Sequence, residues 1–139
     1  MTSGIVEILT DSAAVQAEVG TNAEGMKYKV YPFVAPQTEK GPYIVVAKTA
    51  NNTQSEGKEI ESTLDYPTYD VLCYSKNFRK TEELHEACRA ALDNMTSVTA
   101  VCTFRRIWLI TDRDQFDTKA EMYVHVATYG AEQFRPEVT

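Results

Sequence analysis

Histidine and cysteine are scarce in this chain, with two of the first and three of the second among 139 residues. Cys73, Cys88 and Cys102 are odd in number and lack a CxxC spacing. That excludes a disulfide framework and reads as small, reduced, apolar residues of an intracellular protein. The six glycines are scattered singly, so no glycine-rich loop can cradle a phosphate. No apolar run approaches the roughly 18–20 residues of a membrane-spanning helix, and the N-terminus lacks the positive region and apolar core of a secretory signal. A soluble chain with no membrane partner is expected. Positive charge is also in deficit: 14 Lys and Arg against 20 Asp and Glu leave a net charge of −6, a field that repels nucleic-acid backbones.

What is present is the material of one ordinary domain. A hydrophobic fraction of 43% against 24% charged residues suffices for a single core over residues 1–139. The stretch Tyr28-Lys29-Val30-Tyr31-Pro32, followed by Pro36, Pro42 and Tyr43-Ile44-Val45-Val46, organises the rest. Its prolines hold the backbone extended, and its aromatic and β-branched residues suit a pleated surface. Ile44, Val45 and Val46 run on without alternation, as expected for an interior strand covered on both faces.

Before this stretch, Ile5, Ile8 and Leu9 recur at helical spacing. Asp11-Ser12 then offers an N-cap for Val15 and Val19, and Gly20 a C-cap, so one kinked helix or two short ones are expected. After it, residues 50–61 are polar and read as a long loop between antiparallel strands. A third strand reaches Ser75, with Pro67 marking a bend, an edge or a bulge. Thr81 is read as the N-cap of a helix whose apolar stripe is Leu84, Ala87, Cys88, Ala91, Leu92 and Met95. Two more strands follow, turning at Asp112-Arg113-Asp114, and residues 130–139 read as a polar tail. The fold class is α+β: one mostly antiparallel or mixed β-sheet with two helices packed on it, in the order α-β-β-β-α-β-β.

The chemistry-bearing residues are sparse. His85 and Cys88 share a helix face and His125 lies in the last strand, but no short spacing brings metal ligands together. Packing accounts for these residues more simply than zinc or thiol catalysis. Glu82-Glu83, Glu59 with Glu61, and Asp112 with Asp114 fall in turns or helix starts, where solvation and the helix dipole explain them. Arg105-Arg106 precedes Ile107-Trp108, yet strand alternation sends the two arginines to opposite faces. No catalytic, cofactor-binding or metal residue is assigned, and no cofactor is expected.

In its succession of short motifs the chain resembles a known family. Leu9-Thr10-Asp11-Ser12-Ala13-Ala14-Val15 and Val19-Gly20 lead into Val30-Tyr31-Pro32, Ala35-Pro36-Gln37 and Pro42-Tyr43-Ile44-Val45, and Ala90-Ala91-Leu92 closes the long helix. This order is similar to that of the tail terminator, or tail completion, proteins of long-tailed bacteriophages and prophages. The resemblance implies a non-enzymatic virion protein of the tail and neck, assembled in the host cytoplasm. It further implies a homo-hexameric ring that caps the tail tube, stops its growth and joins the tail to the head connector. The implied partners are the tail-tube protein and a head–tail connector or head-completion protein. DNA would pass through the ring without being tightly bound. The polar loop, with Asn51, Asn52, Thr53, Gln54, Ser55, Glu56 and Lys58, is the expected assembly interface. Another neck or minor tail protein, or a small-molecule-binding α+β enzyme, stays open as an alternative.

Overall fold

Asn77 begins the helix on which the core is built. Its backbone is extended and its side chain accepts a hydrogen bond from the Arg79 N–H at 2.9 Å, which satisfies one of the free first-turn donors. Thr81, the N-cap expected from the sequence, lies one turn inside the helix, buried, with its hydroxyl donating to the Phe78 carbonyl at 2.6 Å. Leu84, Ala87, Cys88 and Leu92 form the buried stripe, with Ala91 half-buried beside it. The helix ends before Met95, because the Asp93 backbone is extended and its carboxylate accepts the Leu109 N–H at 3.0 Å.

The computed structural model describes residues 2–20, 28–33, 41–53, 64–93, 95–98, 103–119 and 121–134. In chain order these form α1 (Thr2–Asp11), α2 (Ala13–Val19), β1 (Val30–Pro32), β2 (Tyr43–Thr53), β3 (Leu64–Ser75), α3 (Phe78–Leu92), β4 (Met95–Val98), β5 (Thr103–Asp117) and β6 (Met122–Phe134). The strands make one mixed sheet in the order β1-β2-β3-β6-β5-β4, parallel only between β1 and β2. The α+β class expected from the sequence is the one observed.

Where the sequence allowed one kinked helix or two, there are two. Ser12 caps α2 and Gly20 closes it at φ 66°, a conformation that glycine adopts without strain. Ile5, Leu9, Val15 and Val19 of these helices join the α3 stripe over Ile44, Val46, Tyr69, Val71, Cys73, Ile107, Ala127 and Tyr129. The other sheet face carries a smaller cluster of Tyr43, Val45 and Met122, with Tyr43 stacked on Tyr74 at 4.7 Å. Ile44, Val45 and Val46 are therefore buried in succession, as their unbroken run implied.

After α3 there are three strands, β4 to β6, where two were expected, and three further boundaries differ from the sequence reading. β2 runs on through Thr53, with Asn51, Asn52 and Thr53 paired to Pro67, Tyr66 and Asp65, so residues 50–53 are ladder and not loop. β6 continues to Phe134, drawing residues 130–134 of the expected tail into the sheet. Asp112-Arg113-Asp114 is not a turn. The β5–β6 ladder passes through it to Asp117↔Met122, and the chain reverses after Asp117, whose carboxylate accepts the Lys119 N–H at 3.0 Å.

Candidate functional site

Beyond the apolar core, the β5–β6 hairpin extends under the start of α3, and polar side chains replace apolar ones there. Asp112 and Asp114 on β5 face the helix side, cross-strand from Ala127 and His125. His85 descends from α3 onto the same spot, so its imidazole and that of His125 lie 4.1 Å apart, centroid to centroid. One carboxylate oxygen, Asp112 Oδ2, stands 3.3 Å from His85 Nε2 and 3.2 Å from His125 Nε2. The second nitrogen of His125 is held by Asp114 Oδ1 at 2.7 Å. His85 Nδ1 is buried and has no hydrogen-bond partner among the described residues. Burial first, and then the neighbouring His125, hold His85 below the ordinary imidazole range, against the pull of Asp112.

The sequence reading had no two of His85, His125 and Cys88 converging; the two histidines do converge. Cys88 instead faces Cys73 across the core, Sγ to Sγ 4.0 Å. The missed signal is a register. Once the hairpin reverses after Asp117, the i, i+2 pair Asp112 and Asp114 must share a face with His125.

Other surfaces suit contact more than chemistry. Beyond Ile107, β5 has β6 on one side and, among the described residues, no strand on the other. This open edge carries exposed Ile110 and Phe116, and Phe116, Tyr123 and Phe78 pack edge to face at 5.1 and 5.7 Å. Arg105 and Arg106 are not sent to opposite faces. A bulge between Phe104 and Arg106 breaks the alternation, Arg105 pairs with Glu132 at 3.6 Å, and Arg106, cross-strand from Glu132, lies 5.3 Å over the Trp108 ring. Of the expected assembly residues, Asn51, Asn52 and Thr53 occupy the end of β2, while Gln54, Ser55, Glu56 and Lys58 lie outside the described residues. Among the described residues no helix is long and apolar enough to cross a membrane.

No protein-family model matches the chain, and neither does any curated protein. Among solved structures it is similar to a chain of the virion of a native gene transfer agent (GTA) particle, with a TM-score of 0.71 at 17% sequence identity. The likeness covers 96% of this chain and 97% of that one. At that identity the two share a fold, from one end of the chain to the other.

Proposed function

We propose that this chain is a structural protein of a phage-type virion. In the finer reading it is a tail terminator, whose copies close into a hexameric ring that caps the tail tube, ends its growth and meets the head connector. The observation that carries the proposal is the end-to-end likeness in fold to a chain of a GTA virion. The motif order of the tail terminator family supports the same reading. The open β5 edge supports it too, since an unpaired strand edge with apolar side chains is a template for pairing with another chain. The role is one of assembly, without a catalytic step. The net charge of −6 suits a lumen through which DNA slides without being gripped. Because the similar chain is known as part of a whole particle, another neck or minor tail position is the alternative.

Two measurements test this. Electron microscopy and sizing of the purified chain should find closed rings, and particles made without the chain should carry overlong tails that lack heads. A chain that stays monomeric, together with normal-length, head-joined tails in its absence, would overturn the terminator reading. Overlong tails are specific to a terminator; headless tails of normal length would favour the neck alternative. Replacing residues 54–58 by a short glycine bridge spares the β2–β3 ladder. The variant should fold and yet fail in tail completion if that segment is an assembly element.

A further inference from the structure

We infer that His85, His125 and Asp112 form a site for one divalent transition-metal ion of the zinc class. Their ligand atoms all lie within 4.8 Å of one another. Asp112 Oδ2 is 3.3 and 3.2 Å from the two Nε2 atoms, close to the roughly 3.3 Å that separates tetrahedral ligands on bonds of about 2.0–2.1 Å. The two histidines are 5% and 7% exposed, so their donors are largely desolvated and set in place by packing. Asp114 holds His125 Nδ1 and leaves Nε2 directed at the cluster, the carboxylate–histidine arrangement that fixes and strengthens an imidazole ligand. Among the described residues Nδ1 of His85 has no hydrogen-bond partner, whereas its Nε2 faces Asp112. Two imidazoles select zinc-like ions over magnesium or calcium, which demand oxygen ligands.

The side chain of Asp112 is 41% exposed, which gives an ion an entry path and leaves room for water as a fourth ligand. Three elements supply the donors: α3, β5 and β6. A bound ion would therefore pin the helix to the hairpin and stabilise the fold in proportion to its occupancy. The inference rests on this geometry and is independent of the virion reading.

The test is titration of the purified, metal-free chain with Zn2+ by calorimetry, alongside thermal unfolding and visible spectroscopy with Co2+. One Zn2+ per chain, a rising Tm, and tetrahedral Co2+ bands without thiolate charge transfer are expected. His85→Gln and His125→Gln should each weaken binding by about tenfold or more, and Asp114→Asn by about tenfold. Mg2+ should not compete. Asp112→Asn alters a partly exposed side chain and should also lose affinity while keeping its circular dichroism, so the test stands even if a histidine variant fails to fold. No saturable binding by the native chain, unchanged affinity in Asp112→Asn, or thiolate bands that place Co2+ on cysteine would each overturn the site.

Discussion

Trp108 lies so close to Gly130, its cross-strand partner, that a methyl group on Gly130 would sit 2.8 and 2.9 Å from two atoms of the indole ring. Glycine weakens a strand by leaving its surface bare, and here the indole covers that surface. Gly130→Ala should displace the ring and cost about 1–3 kcal/mol, the range for overpacking. Denaturant titration checks this, and Trp108→Ala in the same chain should recover part of the loss.

Leu92 closes the α3 stripe and is fully buried. Leu92→Ala should destabilise the chain by about 2–5 kcal/mol. A change below about 0.5 kcal/mol would be that of a surface position and would contradict its place in the core.

The Tyr129 hydroxyl is buried and has no hydrogen-bond partner among the described residues. Tyr129→Phe removes that unmet group and should raise stability by about 1 kcal/mol at neutral pH. The phenol is also held above its ordinary range, first by burial and then by the nearby Cys88 and Cys73 thiols. Its contribution is complete below the unfolded value of about 10 and declines as pH rises past it, because the unfolded chain loses that proton first. The gap between wild type and Tyr129→Phe should therefore widen in alkali, which unfolding curves at stepped pH would show.

Cys73 and Cys88 should resist alkylation in the folded chain. Both are buried, and the hydrogen bond to Cys88, followed by burial, pushes the Cys73 thiol up; the protonated form is a poor nucleophile. Mass spectrometry after brief iodoacetamide treatment at neutral pH should find both unmodified, and both modified once denaturant is added. Rapid labelling of Cys73 or Cys88 in the native chain would contradict the packing.

The elements carried by apolar periodicity were legible in the sequence: the α3 stripe, the buried run Ile44 to Val46, and the helices around Ser12 and Gly20. Their ends were less so. Thr81 and Asn77 are both good caps in composition, and what decides between them is that Thr81 is needed in the core. Asn51 and Asn52 have low strand propensity, but the partner strand beginning at Leu64 supplies the ladder that propensity withholds. The histidine cluster was hidden for a related reason. Its members come from three elements, and only the β5–β6 register, fixed by a turn after Asp117, brings them together. Arg105 and Arg106 were misread because alternation was carried straight through a bulge.

That bulge has a counterpart, and each adds to β5 one residue that β6 does not match. At the start of β5, Phe104 faces the helices. The irregularity before Arg106 hands that face to Ile107 and Leu109, and the one between Leu109 and Thr111 returns it to Asp112 and Asp114. Arg105 and Ile110 are the extra residues, because Phe104 and Arg106, and likewise Leu109 and Thr111, already face consecutive residues of β6; deleting either one would remove a bulge and leave the remainder of the strand on its present partners. Asp112, Asp114 and Phe116 would stay in phase with His125 and Tyr123 in both cases. The two bulges are thus slack in the strand, and each single deletion should fold with its register beyond the deletion unchanged.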